Sequence, residues 1–328
     1  KDEQILRYPF EGVGGVTLLN SDLWRLDEGE FLNDTVIEFG LKHMLEKIKG
    51  SNPELASQIH LFSSFFYKKL TEFGDRSEKG REKGYNNVKK WTNKVNLFEK
   101  RYIVVPINEY LHWYMAIIVS QSYGSRGQAS TQGSPSSPRS RQHGKERGMP
   151  EDETLVIVFD SLQSSHGAVK TVMRDYLWLE ARDKGQLRDP ERNTRETAKV
   201  LHVDANVPIQ PNHCDCGIYL LHFFDRFFSD PEAFTKLAWV SKVGRRRAEK
   251  SDSSQWNPEL VPTRRQEWRT TILELSEEWK VKRAAEEQEK QERKRRMKKE
   301  QHQQHPSPRG LRSGLNHETR EGEDDHDD

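Results

Sequence analysis

Apolar positions along this chain alternate between a helical period and a strand period. In "LNDTVIEFGLKHMLEKI", residues 32–48, Val36, Ile37, Phe39, Leu41 and Met44 recur at helical spacing behind Asn33 and Asp34, two residues suited to capping a helix start. The segments "RYIVVPINEY", "HWYMAIIVS", "TLVIVFDS" and "KVLHVDA" are dense in β-branched and aromatic residues and read as strands. The second of them opens on His112, and the third delivers Asp160 to its end. "GIYLLHFFDRFFSD" is too long for a strand and reads as a core helix that begins at Cys216. Strands and helices interleaved in this order predict an α+β fold, a mixed central sheet flanked by helices.

Two segments break the pattern. Residues 120–153, "SQSYGSRGQASTQGSPSSPRSRQHGKERGMPEDE", are rich in Ser, Gly, Pro and Arg and almost free of aliphatic side chains, so they read as a disordered low-complexity insertion. Both of its ends fall at strand termini, where an insertion costs the core little. Residues 281–328 run through "KRAAEEQEKQERKRRMKKEQHQQH" to an acidic end, with many charge pairs and no apolar stripe: a tail, disordered or a lone helix. One folded domain is therefore expected from residues 1–119 and 154–280, interrupted by the insertion and followed by the tail.

Composition agrees, with 33% hydrophobic and 32% charged residues in a chain of 328. A net charge of +1 gives no overall pull toward nucleic acid or membrane, and no apolar run is long enough to span a bilayer. There is no signal-peptide pattern, and a start at Lys1 without methionine suggests a piece of a longer protein. The cluster Arg293 to Lys299, "RKRRMKK", reads as a nuclear localisation signal, a polyanion contact or a solvated charge run; the loop "VGRRRAEKSDSS" near Arg245 carries the same alternatives.

The two cysteines, Cys214 and Cys216, lie in "VPIQPNHCDCGIYLL". One residue apart, they are poorly placed to bridge each other, which favours a reducing compartment. Structural zinc needs ligand pairs in two places, and "HCDC" with His213 has no second cysteine pair, so no metal is expected. An inert buried thiol is the ordinary reading of any cysteine. Position favours chemistry at Cys216, because free backbone N–H groups and the dipole at a helix start stabilise a thiolate. Gly217 behind it leaves the backbone free for close approach.

A thiolate nucleophile needs a base and a group to orient that base. His112 and Asp160, on adjacent strands, are candidates, and they open the possibility of a His–Asp–Cys order with Cys216. Their ordinary alternatives are a half-buried structural histidine and a turn-capping aspartate. Gln210 could aim its amide at a developing oxyanion, or sit in solvent.

At these residues the chain resembles a known family. "LNDTVIEF", "VPINEYLHWYMAII", "VFDSL" and "PIQPNHCDCGIYLL" are similar, in the same order, to the cysteine proteases that process and remove SUMO, the sentrin-specific or ubiquitin-like-protein proteases. Within that family the chain looks most like the fungal branch that trims SUMO chains, and the resemblance covers most of residues 18–228. It implies a permuted papain-like fold and a thiol protease or isopeptidase needing no cofactor, with His112 as base and acid, Asp160 as its partner, Cys216 as nucleophile and Gln210 as oxyanion donor. It further implies that Trp113 covers the modifier's Gly-Gly tail and that Asp34 meets a basic residue on SUMO. Partners would be SUMO, its conjugates or poly-SUMO chains, in the nucleus, with nucleic acid not indicated for the catalytic domain. One departure is Phe31, which stands where the family has tryptophan and keeps a smaller aromatic wall. Another is Cys214, two residues before the nucleophile, where relatives carry an aromatic or aliphatic side chain. The alternatives are a protease for ubiquitin or another ubiquitin-like modifier, and a catalytically weak SUMO-binding module.

Overall fold

The chain opens with strand β1 (Gln4–Tyr8), paired antiparallel with β2 (Val16–Leu19), and continues through the short helix α1 (Asn20–Trp24) into α2 (Asp34–Ser51). This computed structural model describes residues 2–12, 14–74, 77–120, 154–187, 194–195, 198–243 and 253–304. Asn33 caps α2 as its sequence predicts, its side-chain oxygen accepting from Val36 N at 3.1 Å. Next come α3 (Pro53–Ser57), β3 (Ile59–Leu61), α4 (Phe66–Thr71), α5 (Glu78–Val88), β4 (Tyr102–Glu109) and β5 (His112–Ser120). The remaining elements are β6 (Thr154–Phe159), α6 (Gly167–Asp183), β7 (Val200–Asp204), α7 (Cys216–Ser229), α8 (Pro231–Val243) and α9 (Arg264–Gln304).

The central sheet has the order β3-β4-β5-β6-β7, with β3 parallel to β4, β6 parallel to β7, and antiparallel pairing between β4, β5 and β6. It is the mixed α+β sheet that the alternating periods predict. The three middle strands read as near-continuous apolar runs because both faces are covered. One face places Ile103, Val105, Ile107, Tyr114, Ala116, Ile118, Val156 and Val158 in a core with Phe66 of α4, Tyr85 of α5 and Met173 and Tyr176 of α6. The residues between them point the other way, where Phe227 of α7 meets Tyr102 and Phe159 edge-on at 5.9 and 5.7 Å. Of the 14 residues of α7, 11 are buried, and Asp225, Arg226 and Ser229 are left on a narrow polar side. Each buried Phe or Leu there contributes on the order of 1.5–3 kcal/mol.

This packing presses α7 against the sheet and against α2, where Gly40 leaves room for the Leu221 methyls. The N-terminus of α7 is thereby held at the end of the sheet where β5 begins and β6 ends. At the opposite end, Ser120 lies directly across from Thr154, so the stretch between β5 and β6 leaves and re-enters the fold at paired positions. Of the predicted insertion, residues 120–153, Ser120 is the last residue of β5 and residues 121–153 lie outside the described residues, as do most of the "VGRRRAEKSDSS" loop and residues 305–328.

The chain divides into two compact units, residues 1–276 and 277–328. In the second unit α9 continues as a charged helix, carrying pairs such as Arg283–Glu287 at 3.4 Å and Arg296–Glu300 at 3.1 Å, and residues 283–300 are exposed throughout. Among the described residues no helix is long and apolar enough to cross a membrane.

Candidate active site

Three elements converge where β5 starts. The antiparallel register sets Met115 opposite Phe159, so His112 at the start of β5 and Asp160 just past the end of β6 emerge on the same edge of the sheet. His112 Nε2–H donates to Asp160 Oδ1 at 2.6 Å. With Nε2 engaged, Nδ1 is the nitrogen left for the Cys216 thiol, to which the imidazole is also hydrogen-bonded. Cys216 is the first residue of α7 and only 1% exposed.

The electrostatics follow from these contacts. Burial works to lower the His112 pKa, but hydrogen bonds to Asp160 and Cys216, and their negative charge, outweigh it and raise the ring to about 9. Burial opposes ionisation of Asp160, yet the carboxyl is held well below its usual range by hydrogen bonds from His112, from His166 and from the backbone N–H of Leu162. Both oxygens of that carboxylate are fully engaged: Oδ1 also accepts from Leu162 N at 2.8 Å, and Oδ2 accepts from Ser164 N at 3.0 Å and His166 Nε2 at 2.9 Å. Both imidazoles stack with Tyr114, at 6.0 Å for His112 and 3.9 Å for His166. His166 escaped the sequence reasoning. It stands six residues after Asp160, at the start of α6, and nothing in its local pattern separates it from an exposed loop histidine.

Gln210 is 6% exposed rather than solvated. Its Oε1 accepts from Ser161 Oγ at 2.7 Å, which fixes the amide orientation, and Nε2 donates to Asn212 O at 2.5 Å. Asn212 organises the rest of the loop, its Oδ1 accepting from the N–H groups of Cys214 and Asp215, each at 3.0 Å, and from the Cys214 thiol at 3.3 Å. The two cysteines are free, and the thiol of Cys214 is occupied away from His112. Among the described residues no group of three or more His, Cys, Asp or Glu side chains is placed to hold a metal ion.

Trp113 is buried, 2% exposed, and its indole N–H donates to Leu32 O at 2.9 Å. Phe31, partly exposed, faces the His213 ring at 6.0 Å, and Asp34 is the first residue of α2. The space beside Gly217 is not open to a substrate as the sequence suggests. A Cβ built there would come within 2.9 Å of Leu32 Cβ and 3.0 Å of Leu32 Cγ, so this glycine exists to let the Leu32 segment lie on α7. Gly217→Ala is accordingly expected to cost about 1–3 kcal/mol by overpacking and to displace Phe31, lowering activity by roughly ten-fold or more; a melting curve with a rate measurement checks both.

A thiol at a helix start, an imidazole hydrogen-bonded to it and a carboxylate holding that imidazole, on an α+β sheet with His and Asp preceding Cys in the chain, define a cysteine-type hydrolase. Residues 30–243 match the family described as the Ulp1 protease family, C-terminal catalytic domain, and the chain belongs to that family. It is similar to ubiquitin-like-specific protease 2 of Schizosaccharomyces pombe, 36% identical over 84% of this chain and 42% of the relative. It also resembles sentrin-specific protease 7 of Mus musculus, 33% identical over 66% of this chain and 24% of that protein. The chain thus spans less than half the length of the curated relatives it matches. A solved structure described as the de-sumoylating protease superposes with a TM-score of 0.65 at 25% identity, covering 86% of this chain and 95% of that one.

Proposed function

We propose that the protein is a cysteine protease that cleaves after the C-terminal Gly-Gly of SUMO, releasing SUMO or SUMO chains from lysines of conjugated proteins. The observation that carries this reading is the His112 imidazole held between the Asp160 carboxylate and the Cys216 thiol. The names of the relatives above, ubiquitin-like-specific and sentrin-specific proteases, and of the de-sumoylating structure supply the modifier.

In the proposed reaction the Cys216 thiolate attacks the carbonyl carbon of the terminal glycine, while the thiol proton resides on His112. Gln210 Nε2–H and the Cys216 backbone N–H donate to the oxyanion, an arrangement in which one lost donor typically costs about 100- to 1000-fold. As the tetrahedral intermediate collapses, the C–N bond breaks and His112 gives its proton to the departing lysine Nζ. A thioester remains on Cys216. His112, neutral again, takes a proton from water as the water oxygen attacks the thioester; the C–S bond then breaks, its electron pair returning to the Cys216 sulfur, and SUMO leaves as a carboxylic acid that gives its remaining proton to solvent. Asp160 stays ionised throughout and keeps the ring oriented.

Trp113 and Phe31 serve in this reading as walls for the diglycine tail, which suits aromatic surfaces because it brings no side chain between them, and Asp34 meets a basic residue on the modifier. Residues 1–119 and 154–280 make one catalytic domain, with 120–153 as an insertion and 281–328 as a charged tail. Residence in the nucleus is supported by the exposed Arg293–Lys299 cluster on α9.

The test is cleavage of purified poly-SUMO chains, run beside labelling with SUMO and ubiquitin vinyl sulfones. Chain cleavage with preferential SUMO labelling is expected. Labelling by ubiquitin alone would transfer the mechanism to another modifier, and labelling by neither would leave a binding module.

A further inference from the structure

Outside the residues that match the family, one side chain makes more contacts to the active-site loops than any group the mechanism uses. Arg265, in the first turn of α9, is 13% exposed and directs its guanidinium into the gap between two loops. Nε and Nη2 donate to Asp215 Oδ1 at 2.9 and 2.7 Å, and Nη2 also reaches Cys214 O at 3.4 Å. On the other side, Nη1 donates to the carbonyls of Arg25 at 3.1 Å and Asp27 at 2.9 Å, and Nη2 to that of Glu30 at 2.7 Å. All five N–H donors of the guanidinium are engaged.

The two loops are the ones that the chemistry needs in register. Asp215 is the N-cap of α7, immediately before Cys216, and its Oδ2 accepts from Asn212 Nδ2 at 2.7 Å, joining it to the loop that holds Gln210. Glu30 precedes Phe31 and Leu32, and Leu32 in turn receives the Trp113 indole N–H and lies against Gly217. The 25–30 turn has no sheet or helix ladder and is held internally by single backbone bonds, from Leu26 N to Leu23 O, Asp27 N to Trp24 O and Glu30 N to Asp27 O, so the Arg265 bonds to the Arg25, Asp27 and Glu30 carbonyls tie it to α9. A neighbouring arginine, Arg269, holds the same turn by donating to Leu23 O at 2.9 Å and to the Asp27 carboxylate.

We propose that Arg265 is a positioning residue that locks the 25–30 turn to the N-cap of the nucleophile helix, so that the first turns of α9 are part of the active site. Lysine cannot replace it, because a single ammonium has three donors on one atom and no planar fork to span two loops. The inference rests on the proposed SUMO protease reading for its substrate.

Arg265→Lys is to be compared with the unmodified chain for melting temperature, for kcat and KM on SUMO carrying a C-terminal fluorogenic amide, and for alkylation of Cys216 by iodoacetamide in a Cys214→Ser background. A folded Arg265→Lys protein is expected to lose about 10- to 100-fold in kcat with a smaller change in KM, because the reacting groups lose register while the modifier surface stays. A kcat within about two-fold of the unmodified chain in a folded variant overturns the proposal. If the unmodified chain itself leaves the SUMO substrate intact, it is the SUMO reading that fails. Alkylation then decides the inference: a slowing of about ten-fold or more supports it, and an unchanged rate overturns it. Should Arg265→Lys lose cooperative melting, Asp215→Asn takes its place. That variant neutralises the N-cap carboxylate, which also accepts from Asn212 Nδ2, and leaves the four carbonyl bonds of Arg265 to Arg25, Asp27, Glu30 and Cys214; the same expected kcat loss and the same overturning result apply to it.

Discussion

Cys216→Ser is expected to abolish cleavage of SUMO chains, by on the order of 10,000-fold or more, while Cys214→Ser retains activity within about two-fold. The two sulfurs sit in one turn, and the difference between them is environmental. Cys216 begins α7 and is hydrogen-bonded to His112. Cys214 donates its S–H to Asn212 Oδ1, a bond that a serine hydroxyl reproduces. A hydroxyl at position 216 is too weak an acid to give its proton to the imidazole before attack, so the Cys216→Ser variant lacks an anionic nucleophile. Gel assay of poly-SUMO cleavage and covalent labelling by a SUMO vinyl sulfone check both variants. Labelling that survives in Cys216→Ser and vanishes in Cys214→Ser would reverse the assignment.

Asp160→Asn is expected to lower kcat/KM by about 1,000- to 10,000-fold and to move the alkaline limb of its pH profile downward. The Asp160 carboxylate accepts four hydrogen bonds, from His112, His166, Leu162 N and Ser164 N. An amide has one acceptor oxygen, and its NH2 group would face one of the two imidazoles as a donor. His112 therefore loses the partner that fixes its ring and holds its proton. In the unmodified chain His112, raised to about 9, carries its proton through neutral pH; above that value it cannot protonate the leaving amine, and kcat/KM falls. Without the carboxylate that fall begins closer to the ordinary histidine value of 6.5.

Stability responds with a defined sign. The raised His112 pKa contributes stability that is complete below 6.5 and disappears as pH rises through about 9. The lowered Asp160 pKa contributes stability that is complete above 3.8 and disappears as pH falls below it. The gap in melting temperature between the unmodified chain and Asp160→Asn should accordingly be widest between pH 3.8 and 6.5 and narrow above about 9. Rate profiles and thermal melts over that range measure both effects. A gap that stays constant with pH would show that the ion pair is not formed.

Much of the fold is legible along the chain, because the elements that make it are continuous in sequence. The period of α2, its Asn33 cap, the apolar runs of β4 to β6 and the broad apolar face of α7 are local patterns, set by which faces must leave water. Strand ends bring His112 and Asp160 to one edge by the same logic, since a register of paired strands follows from two runs of similar length. Cys216 is distinguished from Cys214 by where the helix period begins.

Other features depend on residues that no local period relates. His166 reaches Asp160 only because the loop before α6 turns back over Tyr114, and its sequence neighbourhood is that of any surface turn. Gly217 reads as space for a substrate until Leu32, far upstream, is seen to fill it. Arg265 lies in a charged stretch where one arginine looks like the next, and its partners at Arg25, Asp27 and Glu30 are 235 to 240 positions away. The sequence by itself determined the layers, the cap and the order His, Asp, Cys, because hydrophobic periodicity is a property of neighbours. Only the tertiary structure decided which loops are tied together around the thiol. Those ties are directional hydrogen bonds between distant backbone and side-chain atoms, and their geometry exists only once the layers have packed.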